Sequence, residues 1–294
     1  MTVWLWNSQE SRFEEPMEDV GMWTLLAADS WLVVGGRVRT FDRHQARFAD
    51  ASGQVGVGDL VTDEFWASVV EKIPKTGEWF PRVDVLETVP GGSRMLAFRL
   101  RPAPPRTREL RVLIPRYSDP RNTPRRKGPD IALLERLLKQ AREEYDCDEV
   151  LLLSEDGYVI EGATTSLLWW DGDTLCIPDP ELGALPSVTS AVIVEEARTR
   201  SVPVEHRRVR PEGLISHEVW LVNALHGIRR VNWFVNAQGG GGREPSGRTR
   251  GPRTGSSDRA DDPVERFEHL RDRIEAARVP VSEFEWGRVK SQHL

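Results

Sequence analysis

The stretch Asp148–Leu168, DEVLLLSEDGYVIEGATTSLL, decides how this chain is read. Glu149–Leu153 is short and apolar, the pattern of a strand. Glu155-Asp156-Gly157 predicts a hairpin turn, and Tyr158–Ile160 the returning strand. Glu161 stands directly after it. Working outward, Ser166–Trp170 and Thr174–Ile177 form a second hairpin across Asp171-Gly172-Asp173. Upstream, Ile131–Tyr145 has the spacing of an amphipathic helix. Downstream, Ser190–Ser201 reads as a helix, and Val202–Val209 and Glu218–Val222 as strands. Residues 127–237 are therefore expected to form a mixed α/β domain.

The preceding part has a different grain. Trp31–Arg39, WLVVGGRVR, predicts strand, Gly-Gly turn, strand. Asp42–Ala51 is expected to be helical with Asp42 as its N-cap, and Thr62–Glu71 forms a second helix stopped by Pro74. Phe80–Leu86, Met95–Leu100 and Glu109–Ile114 read as strands. Residues 21–115 thus predict a small α+β domain on an antiparallel sheet. Residues 1–20, acidic and irregular, are expected to be a loose extension. Residues 116–126, RYSDPRNTPRR, hold two prolines and four arginines, the composition of an interdomain linker or functional loop.

After Ala237 the character changes again. Residues 238–262 are rich in Gly, Arg and Ser without apolar periodicity, so disorder is expected. Residues 263–294 predict a helical tail, with Val264, Phe267, Leu270 and Ile274 on one helix face.

Composition narrows the classes. The 294 residues are 39% hydrophobic, enough for one large or two ordinary domains. A net charge of −6 disfavours a globally basic nucleic-acid binder. Two cysteines exclude a disulfide scaffold and a cysteine-cluster zinc site, and no metal is expected. The start lacks a basic segment followed by an apolar one, and the apolar runs are too short to span a membrane. The expectation is a soluble cytoplasmic protein.

Four features carry chemistry. They are Lys127 at the end of the basic segment, Glu161 at a strand end, Leu185–Ser190 (LPSVTS) running into a helix, and Arg47 in His44–Phe48. Each alone has an ordinary reading as surface charge or a serine cap. Together, in this order, with Lys127 and Glu161 34 positions apart, they form a constellation.

That constellation resembles the class IV aminotransferases, the fold type IV enzymes that use pyridoxal phosphate. Branched-chain and D-amino-acid aminotransferases and 4-amino-4-deoxychorismate lyases belong to it. The likeness runs from about Trp31 to Trp233. Residues 148–168 match its strand–turn–strand–EGA pattern, LPSVT takes the place of its LPGIT phosphate cup, and VNALHGIRRV matches its last active-site strand and loop. The resemblance implies a two-domain fold, with a small α+β domain before a larger one with a mixed sheet. It also implies a homodimer.

The roles follow residue by residue. Lys127 would hold pyridoxal phosphate as a Schiff base and then shuttle the proton. Its neighbours Arg125 and Arg126 would lower its pKa once desolvated. Glu161 would keep the pyridine nitrogen protonated. Arg47 would pair with the phosphate, and Ser187, Val188 and Thr189 would present the helix start to it. Ala224 stands in the last loop, without the hydroxyl usual there. Ser30, Arg82, Arg99, Thr165 and His226 are candidate substrate contacts.

The sequence also departs from the family. Ala28-Asp29-Ser30 replaces the usual Phe-Glu-Thr, and Ser166 replaces an asparagine. The branched-chain tyrosine after the lysine is absent from Gly-Pro-Asp-Ile-Ala. Arg116, Arg121, Arg125 and Arg126 form a cluster that could bind an acidic substrate or could simply be a solvated loop. The leading expectation is amino transfer between a small amino acid and a 2-oxo acid. The alternatives are 4-amino-4-deoxychorismate lyase activity and a non-catalytic binding relative.

Overall fold

The computed structural model describes residues 2–14, 23–237, 240–243 and 263–283. The chain divides into two units. The first holds residues 1–105, 126–131 and 277–294; the second holds 106–125 and 132–276.

The first unit is built on a five-stranded sheet. Its strands are β1 (Thr2–Asn7), β2 (Arg12–Phe13), β3 (Thr24–Ser30) and, after a small hairpin, β7 (Arg82–Glu87) and β8 (Arg94–Leu100). The order is β2-β1-β8-β7-β3, antiparallel throughout. The small hairpin is β4 (Val33–Val34) and β5 (Arg37–Val38), with β6 (Glu78–Trp79) beside β4. Gly35 and Gly36 turn it, both with positive φ, as the right-handed twist of the strands demands.

Helices α1 (Phe41–Gln54) and α2 (Asp63–Glu71) cover one sheet face. Phe41, Phe48, Phe65, Trp66 and Val69 pack there against Val83, Val85, Leu96 and Phe98. Thr62 caps α2 by accepting the Phe65 N–H at 3.3 Å. Thr40, at φ 40°, occupies the N-cap position of α1, so Asp42 falls inside the first turn and is not the expected cap.

The expected loose extension over residues 1–20 is corrected by β1. TVWLWN alternates, and both faces are used: Val3 and Leu5 join one cluster, and Trp6 the other. Residues 15–20 lie outside the described residues.

The second unit is built on a nine-stranded mixed sheet. Its strands are β9 (Glu109–Ile114), β10 (Glu149–Leu153), β11 (Val159–Gly162), β12 (Ser166–Asp171), β13 (Thr174–Pro178), β14 (Val204–Arg207), β15 (Glu218–Asn223), β16 (Gly227–Asn236) and β17 (Gly240–Arg243). The order is β11-β10-β9-β16-β15-β12-β13-β14, with β17 on β16. Three pairs are parallel: β9 with β10, β9 with β16, and β13 with β14. Helices α3 (Ile131–Tyr145), α4 (Val188–Thr199), the one-turn α5 (Pro211–Leu214) and α6 (Pro263–Ala276) complete the set.

Both sheet faces are covered. Along β12, Leu167 and Trp169 enter one cluster and Leu168 and Trp170 the other, the two-residue period of a strand. The chain then returns to the first unit, where β18 (Val279–Pro280) pairs with β5.

The unit boundaries differ from the sequence expectation. Glu109–Ile114 is not in the small domain, because Leu110, Val112 and Ile114 pack with Leu151 and Trp169 in the second core. Residues 116–126 are not one linker: 106–125 join the second unit and 126–131 the first. Within the expected disordered 238–262, Gly240–Arg243 forms β17 on the long β16 strand. The remainder of that stretch lies outside the described residues. The 263–294 tail divides too: α6 belongs to the second unit and β18 to the first. Residues 284–294 lie outside the described residues.

Candidate active site

In the second unit, β11 delivers Glu161 into the interior. Its register opposite Leu152 places it at a strand irregularity, and the residue is 3% exposed. Oε1 accepts the Arg121 guanidinium at 2.7 Å and the Leu185 N–H at 2.8 Å. Arg121 is itself gripped by Asp119, with Nε at 3.0 Å and Nη2 at 2.7 Å. Burial lifts the Glu161 carboxyl to about 7, and the pull of Arg121 and the Leu185 N–H offsets that only in part.

The turn after Glu161 is fixed from below. Gly162 donates to the Thr165 carbonyl at 2.8 Å. A Cβ on Gly162 would stand 2.3 Å from Thr165 Oγ1, so only glycine fits. Fully buried Glu149 accepts both the Thr164 hydroxyl at 2.7 Å and the Thr165 hydroxyl at 3.1 Å. Thr165, a candidate substrate contact, thus has its hydroxyl bound to Glu149.

Leu185 leads into α4, which starts at Val188 and not at the expected Ser190. Ser187 is its N-cap, accepting the Ser190 N–H at 3.2 Å. Val188 and Thr189 are buried in the first turn. Their amides have no intrahelical partner by helix geometry, and the helix dipole adds positive potential there. A single backbone bond, Leu185 N–H to Glu161, therefore ties the buried carboxylate to the anion-attracting helix start.

The last loop lies between β15 and β16. Asn223 Oδ1 accepts the His226 N–H at 2.8 Å, and Gly227 closes the turn at φ 70°. His226 Nδ1 accepts the Thr107 N–H at 3.1 Å. Burial, with Arg229, Arg271 and Arg106 around it, lowers its pKa to about 3. Ala224 sits in the same loop.

In the first unit, half-buried Lys127 runs beside β3. Its carbonyl accepts the Ala28 N–H at 2.7 Å, and Arg126 Nε donates to the Leu26 carbonyl at 3.1 Å. Gly128, at φ 139°, has no room for a side chain, since a Cβ would lie 2.7 Å from the Ala27 Cα. The lysine segment is thereby laid flat on the β3 backbone.

From the other side of β3, fully buried Asp29 reaches α1. It accepts Arg47 Nε at 2.6 Å and Nη2 at 2.9 Å, and lies 2.8 Å from His44 Nδ1. Burial pushes its carboxyl up, but Arg47 and His44 outweigh that and hold it far below the usual range. The same burial lowers the His44 pKa against the pull of Asp29. Arg47, the predicted phosphate partner, is therefore a locked guanidinium. Ser30, buried at the end of β3, donates its N–H to Asp29 at 2.7 Å.

Arg82 and Arg99 stand opposite each other on β7 and β8 and share fully buried Asp84, Arg82 Nε at 2.7 Å from it. Two guanidiniums on one carboxylate leave a net positive charge in a partly desolvated place. The remaining arginines of the predicted cluster have local partners. Arg116 donates to the Ala237 carbonyl at 2.6 Å and Arg125 to the Pro180 carbonyl at 2.8 Å. Arg116 and Arg125 are exposed, whereas the Arg121 side chain is buried against Asp119 and Glu161.

Sequence reasoning missed Asp119, Asp84 and Glu149, and it read Arg121 only as part of a basic run. The Asp-Pro-Arg spacing at 119–121 was the available signal. A carboxylate two residues before an arginine in a proline turn can pin it.

The fold is that of the fold type IV aminotransferases. The amino-transferase class IV family profile matches residues 26–233, and the chain belongs to that family, whose members are aminotransferases and lyases. Aminodeoxychorismate lyase of Bacillus subtilis is 31% identical over 78 residues, 26% of this chain and 27% of that protein. The chain thus spans about a quarter of the length of the curated relative it matches.

Two solved structures show the same fold. A branched-chain aminotransferase from Thermoproteus uzoniensis, with norvaline, superposes at TM-score 0.73 and 16% identity, covering 96% of this chain and 99% of its own. A hypothetical aminotransferase from Mycobacterium tuberculosis, in an α-ketoglutarate and PMP bound form, gives TM-score 0.71 and 20% identity, covering 97% and 100%.

Proposed function

We propose that this chain is a pyridoxal phosphate-dependent aminotransferase, moving an amino group between a small amino acid and a 2-oxo acid. The observation that carries the reading is the union of Glu161 with the α4 start through Leu185. The donor set suits the cofactor at both ends. A carboxyl raised to about 7 by burial gains from one more cation, which a protonated pyridine nitrogen supplies. The Ser187–Thr189 amides suit a phosphate.

When bound, pyridoxal phosphate supplies the electron sink for breaking a substrate Cα–H bond. Lys127 Nζ is the residue to bond it and to carry the proton taken from the substrate carbon. Glu161 holds the ring nitrogen in its charged form. The Ser187–Thr189 turn would receive the phosphate, with Ala224 a candidate beside it, and Arg47, held by Asp29, keeps the phosphate role that its motif implies. Arg82 and Arg99, sharing one aspartate, are suited to a substrate carboxylate. The enzyme acts as a cytoplasmic homodimer in this reading. Among the described residues no helix is long and apolar enough to cross a membrane.

A second reading is 4-amino-4-deoxychorismate lyase, favoured by the 31% identity to the Bacillus subtilis enzyme. The same lysine and glutamate would serve it. The test is a paired assay on purified protein loaded with pyridoxal phosphate. Amino transfer that depends on an added 2-oxo acid supports the first reading. Pyruvate release from aminodeoxychorismate alone supports the second. Neither activity, with no cofactor retained, would favour a non-catalytic relative.

A further inference from the structure

Helix α6 lies outside the span matched by the family profile, yet it is built into the second core. Phe267, Leu270 and Ile274 fill one apolar stripe against Trp170, Trp220 and Ile228. Arg271 lies beside the stripe and is buried as well, at 7% exposure. A guanidinium taken from water is costly unless its donors are met. Here Nη1 donates to the His226 carbonyl at 3.3 Å and, in a short bond, to the Ile228 carbonyl.

Those carbonyls flank Gly227, the turn of the last loop. Asn223, which also donates to the Thr164 carbonyl at 3.3 Å, and the Thr107 N–H hold that loop too. Arg271 adds a hold from the C-terminal helix. The same helix reaches α4, where Arg273 meets Glu196 at 2.7 Å. Arg106–Glu275 at 2.8 Å and Arg108–Glu268 at 3.0 Å hold it from residues 106–108.

The geometry points to Arg271 as a positioning residue that fixes the Ala224–Gly227 loop for cofactor binding. The C-terminal helix is then a working part of the cofactor-binding unit. This rests on the proposed pyridoxal phosphate reading for the loop's role, but not for its rigidity.

The experiment compares wild type, Arg271→Met, Arg271→Lys and Arg273→Gln in the full chain. Amide hydrogen exchange is followed at 224–228 and along α6, and pyridoxal phosphate is titrated by absorbance. Arg271→Met keeps an apolar stem and removes the donors. It should speed exchange at 224–228 by about tenfold, leave α6 protected, and weaken cofactor binding by about tenfold. Arg271→Lys should restore part of both. Arg273→Gln removes the half-exposed Arg273–Glu196 anchor of the same helix and should change neither.

Wild-type exchange and affinity in Arg271→Met would overturn the inference. So would an Arg273→Gln variant that reproduces its effects, since helix docking alone would then explain them. If Arg271→Met fails to fold, the lysine variant decides, because the inference requires faster loop exchange there than in wild type. A wild type that binds no cofactor would sink the functional reading, while the exchange comparison would still judge the loop.

Discussion

Glu161 carries opposing demands. Its chemistry in the proposed reaction wants an ionised carboxylate, while its burial favours the neutral acid. Arg121 and the Leu185 N–H narrow the gap. The folded pKa of about 7 exceeds the ordinary 4.5, so the folded protein binds more protons than the unfolded one between those values. Stability from this group therefore falls as pH rises from about 4.5 through 7, and the penalty is complete above 7. Glu161→Gln should then gain on wild type as pH climbs, in urea unfolding of the cofactor-free protein from pH 4 to 8. It should also lose activity by about a hundredfold or more, as an electrostatic partner of the reacting group is removed.

Asp29 is the opposite case. Its folded pKa is depressed, so its stabilisation is present above the unfolded value of 3.8 and is lost only as pH falls below it. Asp29→Asn leaves Arg47 without its carboxylate in a nearly dry site. The expected cost at pH 7 is about 3 kcal/mol in urea unfolding, with weaker cofactor retention.

Among elements, the helices and hairpins were legible where one periodicity dominates. The α3 helix and the β10 strand have the bounds that the apolar spacing predicts. The β1 strand was hidden because its apolar residues face both sides of the sheet and its neighbours are acidic. The β9 strand was recognised but assigned to the wrong sheet. Short apolar runs do not state their partners, and its parallel neighbours lie far along the chain. Lys127, Glu161 and the α4 start were visible as motifs. The ion pairs Asp119–Arg121, behind Glu161, and Asp29–Arg47 join side chains whose meeting depends on a turn or on the tertiary fold.

Two element-level outcomes follow from packing. Gly128→Ala would force a Cβ into the β3 backbone and displace the lysine segment, costing about 1–3 kcal/mol and most of the activity. Thermal unfolding and steady-state assays would show it. Phe267→Ala would empty the place where α6 meets the Trp220 ring, centroids 6.0 Å apart. A loss of about 3–5 kcal/mol is expected, measurable by urea unfolding.

For the whole molecule, sequence order and unit membership part company. The chain leaves the first unit at residue 105, returns for 126–131 with the candidate lysine, and returns again after α6. Residues beyond the profile-matched span are thus structural members of both units, through α6 in one and β18 in the other. Lys127 is the proposed covalent cofactor anchor of this chain. The most direct test is to load the protein with pyridoxal phosphate, reduce with borohydride, and map the modified peptide. A pyridoxyl label on Lys127, lost in Lys127→Ala, is the predicted result. A protein that remains unlabelled, or is labelled elsewhere, would contradict it.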